Sequence, residues 1–170
     1  GEKLIVHTSN FRPVKRVQDA IKTFYELRKE IPAKLLLVGD GPECAKMEQL
    51  CRELGSCDDI RFLGKLDVVE EVLSVSDLFM MPSKEESFGL AALEAMAAKV
   101  PVISTNTGGI PEVNIHGFSG YLSNVGDVED MAKNAIYLLS DEARLEKFKQ
   151  QAFDSAHQFS IENILPKYEN

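Results

Sequence analysis

From Leu4 to about residue 140, short apolar runs alternate with amphipathic stretches, the pattern of βαβ units feeding a parallel sheet. The apolar runs predict strands at Leu4 to Ser9, Lys34 to Gly39, Ile60 to Gly64, Asp77 to Met81 and Val102 to Thr105, with a short one near Gly120 to Leu122. Between the first two, Val17, Ala20, Ile21, Phe24 and Leu27 recur at helical spacing with charges on the other face, which predicts a helix of about four turns. A second helix carries Met47, Leu50, Cys51 and Leu54 and stops near Gly55; a third, from Asp67 to Ser74, turns Val68, Val72 and Leu73 inward. A fourth runs from about Phe88 to Ala98. After Asp127 the pattern is wholly helical, with Met131, Ala135, Leu138, Leu139, Leu145, Phe148 and Phe153 on its apolar side. Phe159 to Tyr168 reads as a further short amphipathic helix interrupted at Pro166.

The expected fold class is therefore α/β: a Rossmann-like parallel sheet of about six strands with helices on both faces. In such sheets ligands bind beyond the carboxyl ends of the strands, where loops run into helix N-termini. The loops concerned are Ser9 to Arg16, Gly39 to Glu43, Gly64 to Asp67, Pro82 to Phe88 and Asn106 to Glu112.

A length of 170 residues, 44% of them hydrophobic, suits one domain with one buried core. No run of eighteen apolar residues occurs and the start lacks the regions of a signal peptide, so stable membrane insertion is not expected and the cytoplasm is. The chain begins without methionine, directly before a strand, which points to a piece of a longer protein. A net charge of -8 argues against nucleic-acid binding and requires any anionic ligand to be met by local cations. Cys44, Cys51 and Cys57 match no zinc or CxxC spacing and read as reduced thiols, with Cys51 on an apolar helix face. The histidines His7, His116 and His157 are scattered, and no metal is expected.

The fourth helix is apolar or small on every side except at Glu94, which predicts burial nearly all round and a carboxylate in need of donors. Glu94 then serves either a ligand's hydroxyls or a structural pairing. Ser87 is a good N-cap residue, and Gly89 keeps the first turn bare, so amides near Phe88 to Leu90 can face a phosphate. Glu86 lies eight residues from Glu94, roughly 12 Å if the segment were all helical. The run Lys84 to Glu86 reads equally as a solvated loop. After the first strand Arg12, Lys15 and Arg16 cluster at a helix mouth, suited to a diphosphate leaving group or simply to solubility. Thr107 to Glu112 offers glycine amides over another helix start, or is simply a turn followed by proline near the first helical position. Several alternatives fall away. Gly39-Asp-Gly41 begins a dinucleotide fingerprint, but Cys44 stands where its third glycine belongs and the motif follows the second strand. There is no P-loop, no acidic cluster after the first strand as in a phosphorylation receiver, and no Asp-x-Asp pair.

With these residues in view, the chain resembles the C-terminal, donor-binding domain of the retaining glycosyltransferases of family four, which have the two-domain GT-B fold. The likeness spans nearly all of the chain. It rests on Glu86-SFGLAAL-Glu94 together with LLLVGDGP (Leu35 to Pro42), IRFLG (Ile60 to Gly64), SDLFMMPS (Ser76 to Ser83), PVISTNTGGIPEV (Pro101 to Val113) and GYL (Gly120 to Leu122). The resemblance implies that Glu86 holds hydroxyls of the donor sugar and Glu94 the ribose hydroxyls. It implies that Ser87, Phe88, Gly89 and Leu90 border the sugar and diphosphate, that Lys15 binds phosphate, and that Lys65 and Leu66 flank the base. Asn10 departs from the pattern, for many members carry an arginine there; Arg12 or Arg16 compensates, or the pocket is less basic. SNFRPVKRV (Ser9 to Val17) together with SKEESFGLAALEAMA (Ser83 to Ala97) further resembles the bacillithiol-pathway members that join UDP-N-acetylglucosamine to L-malate. That implies a nucleotide sugar as substrate, no metal or other cofactor, Lys15 and Glu86 as the catalytic residues, and an N-terminal domain, absent here, that completes the acceptor site. The alternatives are a noncatalytic nucleotide-binding module or a family member with another sugar and acceptor; homo-oligomer formation stays open.

Overall fold

The computed structural model describes residues 2–86 and 88–163, the last three by their backbone alone. Six parallel strands form one sheet in the order β3-β2-β1-β4-β5-β6, so the chain works outward from β1 in one direction, then returns to β4 and proceeds in the other. The strands are β1 (Lys3–Thr8), β2 (Ala33–Val38), β3 (Ile60–Gly64), β4 (Leu78–Met81), β5 (Val102–Thr105) and β6 (Gly120–Ser123). Each lies within a residue or two of its expected place. β4 and β5 are buried at every position, as central parallel strands covered on both faces must be, whereas the edge strand β3 alternates.

Alternate strand residues feed two cores. Ile5, Leu35, Leu37, Leu78, Met80 and Ile103 point to one face, covered by α1 (Val17–Leu27), α2 (Cys44–Leu54) and α6 (Val128–Leu139). Val6, Val38, Phe79, Met81 and Val102 point to the other, covered by α3 (Glu70–Ser74), α4 (Leu90–Ala97), α5 (Ile110–Val113) and α7 (Glu142–Asn163). Val17, Ala20, Ile21, Phe24 and Leu27 are all buried, as their spacing requires, in a helix of 11 residues, about three turns rather than four. Gly55 ends α2 in the left-handed region, and Asp127 caps α6 by accepting the Asp130 N–H.

Some helical expectations are corrected. α3 begins at Glu70, so Val68 precedes the helix and is half exposed. On α7 Leu145 and Phe148 are buried in the first core as expected, but further along the inward positions are Ala152 and Ala156, whose small side chains let the helix lie close on α4, and this leaves Phe153 toward solvent. Phe159 belongs to the last turns of α7 and not to a separate helix. The remainder of that expected helix, with Ile164, Leu165 and Pro166, lies outside the described residues. Among the described residues no helix is long and apolar enough to cross a membrane.

His7, on β1, is fully buried between the central strands. Its Nδ1 lies 2.8 Å from the Met80 carbonyl oxygen and its Nε2 2.9 Å from Ser9 Oγ. The carbonyl requires a proton on Nδ1, which makes Nε2 the acceptor of the Ser9 hydroxyl and the ring neutral. Burial is the main cause that pulls the pKa from 6.5 down to about 4, against the opposite pull of the Met80 hydrogen bond. Unfolding returns the ring to its ordinary pKa, so the neutral form stabilises the fold fully above 6.5 and that contribution is lost as pH falls toward about 4. Between about pH 7 and pH 5 the loss is expected to be about 2 kcal/mol more in the wild type than in His7→Gln. Urea unfolding of both proteins at the two pH values measures it, and parallel losses would show that His7 titrates normally.

Candidate functional site

The strand order reverses between β1 and β4, and the loops leaving these strands at their carboxyl ends meet there. The Lys84 N–H donates to the Val14 carbonyl at 2.8 Å, a direct backbone link between segments 70 residues apart. Beside it Lys15 Nζ lies 3.0 Å from Glu86 Oε2, with both side chains partly buried. Val14, Lys15, Glu85, Glu86, Phe88 and Leu90 line a cleft of about 340 Å³. A larger groove of about 680 Å³ between α1 and α6 contains none of these residues and no cluster of cations.

The β1 loop is held from below. The Ser9 hydroxyl, oriented by His7, accepts the Phe11 N–H at 3.1 Å, and Phe11 turns through a left-handed φ of 49°. A short 3-10 turn, Pro13–Lys15, follows, and Arg16 at φ 48° redirects the chain into α1. Such φ values cost non-glycine residues about 1 kcal/mol each, so the surrounding contacts must enforce them. For Arg16 the contact is Asp19, nearly fully buried, which receives its Nε at 2.6 Å. The β2 turn supplies another. A Cβ on Gly39 would stand 1.8 Å from the Ser9 oxygen, and one on Gly41 1.7 Å from the Asn10 oxygen. The Gly39-Asp40-Gly41 sequence, which fails as a dinucleotide fingerprint, is therefore the surface on which the β1 loop rests.

The β4 loop is held from the other side. Ser83 Oγ donates to Glu86 Oε2 at 3.3 Å, and Thr105 Oγ1 donates to the Ser83 carbonyl at 2.7 Å. Gly109 N–H donates to the Glu86 carbonyl at 3.0 Å, while Gly108, at φ 53°, packs so closely that a Cβ would stand 2.0 Å from the same oxygen. The glycines of Thr107 to Glu112 thus bind the Glu86 backbone, and the Gly109 amide expected to face a ligand is already engaged.

The candidate residues separate into groups. Lys15, Glu86, Phe88 and Leu90 come together around the cleft. Gly89 is the N-cap of α4, at φ 65° and without a side-chain cap, so the first-turn amides of Leu90, Ala91 and Ala92 lie at the positive end of the helix. Ser87, expected as that cap, lies outside the described residues. Asn10 and Arg12 are exposed on the β1 loop, while Arg16 is committed to Asp19. Lys65 and Leu66 follow β3, two strands away on the same edge of the sheet, with Lys65 exposed and Leu66 packed against the second core.

Glu94 is exposed, contrary to the expectation of burial. Only Ala92, Ala95 and Met96 of α4 are buried, whereas Leu90, Glu94 and Ala97 form an exposed stripe at i, i+4 and i+7. The alanines of α4 blur its apolar period, because an alanine buries little area and tolerates water, so the helix is enclosed on one side only. Glu94 therefore needs no buried partner, and it shares the face of Leu90, which borders the cleft. Ser9 and Ser83, just past the ends of β1 and β4, and His7 and Thr105, within β1 and β5, support these loops, and the sequence does not mark them as site residues, because a polar residue in or beside a buried strand carries no signal of what it will bond.

A family model described as "Glycosyl transferases group 1" matches residues 1–155. N-acetyl-alpha-D-glucosaminyl L-malate synthase of Bacillus anthracis is 50% identical over 170 residues, 99% of this chain and 45% of that protein. The chain thus spans less than half the length of this relative. Among solved structures, the pneumococcal O-GlcNAc transferase GtfA, in complex with UDP and GlcNAc, superposes with a TM-score of 0.89 at 23% identity, over 99% of this chain and 35% of that one. The C-terminal domain of a group 1 family glycosyl transferase from Francisella tularensis superposes with a TM-score of 0.80 at 25% identity, over 92% and 85% of the two chains.

The bracing of Glu86 is open to test. Gly108→Ala is expected to destabilise the protein by more than about 2 kcal/mol, because steric overlap with backbone adds to the φ strain. Gly117→Ala, also at positive φ but with nothing within 4 Å, is expected to lose only about 1 kcal/mol. Urea denaturation of both variants decides it, and equal losses would mean that the Gly108 contact relaxes freely.

Proposed function

The chain belongs to the group 1 glycosyl transferases, and from that premise we propose that it is the donor-binding half of a retaining enzyme that transfers N-acetylglucosamine from UDP-N-acetylglucosamine to L-malate in the cytoplasm, as in bacillithiol biosynthesis. An N-terminal domain outside this chain supplies the acceptor site. The observation that carries the reading is the Lys15–Glu86 pair, which brings a cation and a carboxylate 3.0 Å apart at the switch point beside the start of α4. Identity of 50% over 99% of the chain to the Bacillus anthracis synthase supports the choice of donor and acceptor.

In this reading Lys15 and the α4 amides neutralise the diphosphate. Arg12, exposed on the same loop, takes the part of the cation lacking at Asn10, because Arg16 is held by Asp19. Glu86 accepts hydroxyls of the sugar, Glu94 on the exposed stripe accepts those of the ribose, and Lys65 and Leu66 border the base. The acceptor hydroxyl attacks the anomeric carbon from the face that UDP leaves. The bond to the diphosphate oxygen breaks as the new glycosidic bond forms, and a leaving phosphate oxygen takes the acceptor's proton. Stabilising that oxygen is the task of Lys15 and the helix terminus. The reading assigns charge neutralisation to side chains and amides in place of a metal.

Calorimetry is expected to show saturable binding of UDP and UDP-N-acetylglucosamine, unchanged by EDTA, with NAD and ATP inert. Lys15→Ala is expected to weaken UDP by about tenfold or more, the scale of one charge-assisted contact. Glu86→Ala is expected chiefly to abolish the preference for the UDP-sugar over UDP. Tight NAD binding without UDP binding would overturn the proposal. The full-length parent transferring N-acetylglucosamine to malate distinguishes the enzyme from a noncatalytic module.

A further inference from the structure

At the far end of α2 from the cleft, the chain brings two thiols together. Cys51 sits in the last turn of α2, 2% exposed within the first core, and Cys57 opens the 3-10 turn Cys57–Asp59 at the surface. Their Sγ atoms are 2.9 Å apart. This is closer than the roughly 3.5 Å at which even non-bonded carbons rest against each other. The backbone enforces the approach. Gly55 ends the helix in the left-handed region, and Ser56 turns back so that its N–H donates to the Cys51 carbonyl at 3.1 Å. Beyond the loop, Asp59 is anchored by Lys34 at 2.6 Å and by Arg28 at 2.8 Å, so the turn carrying Cys57 is held from outside the loop it closes.

We propose that Cys51 and Cys57 form a redox-active dithiol, a site of reversible intramolecular disulfide formation by exchange with small-molecule disulfides. The accessible Cys57 thiolate attacks one sulfur of the small disulfide, whose S–S bond breaks and releases a thiolate. That thiolate takes up a proton. Cys57 is left in a mixed disulfide. Cys51 then gives up its proton to solvent, and its sulfur attacks that of Cys57, displacing the second small thiol. Two protein thiols are oxidised to one disulfide and one small disulfide is reduced to two thiols. The order follows from exposure, and from the Cys51 thiol being pushed up to about 12, first by burial and then by its contact with Cys57, so that it does not initiate. Cys44, partly exposed and bonded to Glu48 at 3.9 Å, has no thiol partner and serves as an internal control. The pair joins the end of α2 to the start of β3, at the edge of the sheet opposite the cleft, so its closure leaves Lys15 and Glu86 undisturbed.

The test is incubation with oxidised glutathione, then denaturation in N-ethylmaleimide and mass spectrometry. Cys51 and Cys57 of the wild type and of Cys44→Ser are expected to escape alkylation, together lighter by about two mass units than two free thiols, and to yield a Cys51–Cys57 crosslinked peptide, reversed by dithiothreitol, while Cys44 of the wild type is alkylated. Cys57→Ser, at an exposed position that does not endanger folding, is expected to give no internal disulfide, and Cys51→Ser to stop at a glutathione adduct on Cys57. A wild type that ends with glutathione on Cys57, or with all its cysteines alkylated, would overturn the proposal.

Discussion

Three glycines at the carboxyl edge of the sheet stand where no Cβ fits, because backbone lies directly against backbone. Gly39 and Gly41 meet the Ser9 and Asn10 carbonyls, and Gly108 meets that of Glu86. The first two brace the β1 loop from the β2 side, and the third braces the β4 loop from the β5 side. The two braced loops then join in the middle through Lys84 N–H and the Val14 carbonyl. The spacing of Lys15 and Glu86 is consequently inherited from the sheet. An ion pair that is partly solvated contributes at most about 1 kcal/mol, too little to set such geometry alone.

The same constraint explains the buried polar groups nearby. A loop pressed against backbone has carbonyls and amides that water reaches poorly, and each needs a partner. Ser9 serves the Phe11 amide, Thr105 serves the Ser83 carbonyl, and Gly109 serves the Glu86 carbonyl. His7 belongs to this set. A neutral ring donates to Met80 and accepts from Ser9, whereas a charged ring would lose its acceptor and set Ser9's hydrogen against its own. Support for the β1 loop thus comes from a histidine that must stay uncharged.

Strands and most helices were legible because burial on both faces writes continuous apolar runs, as in Leu78–Met81, and burial on one face writes a 3.6-residue period, as in Val17–Leu27. Glu94 was misread because the period fails when alanines occupy buried and exposed positions alike. Phe153 was misread because the part of α7 that lies on α4 makes contact through small Ala152 and Ala156 and not through its large side chain, whereas Phe148, a turn earlier, is buried as its period suggests. The glycine positions were legible as glycines but not in their purpose, since a close backbone approach is made by a partner far along the chain. Lys15 and Glu86 were legible as candidates only singly. Their pairing depends on strand order, and the Cys51–Cys57 contact depends on a turn whose spacing matches no motif.

Electrostatics gives the cleft its last property. The chain carries a net charge of -8, and two of the cations near the cleft are answered internally, Lys15 by Glu86 and Arg16 by Asp19. These pairings are not equivalent. Asp19 is nearly fully buried, so removing Arg16 would strand a carboxylate away from water, and that pair is structural. Glu86 is less enclosed and has Ser83 as a second donor, so its carboxylate remains hydrogen-bonded if Lys15 turns away. In the proposed reading a diphosphate, with more charge than one carboxylate and with the α4 amides beside it, outcompetes Glu86 for Lys15. The exchange leaves Glu86 with free lone pairs beside the sugar at the moment the diphosphate is bound. In that reading the ion pair is a latch that opens to the anion, and its opening prepares the carboxylate for the hydroxyls that arrive with it.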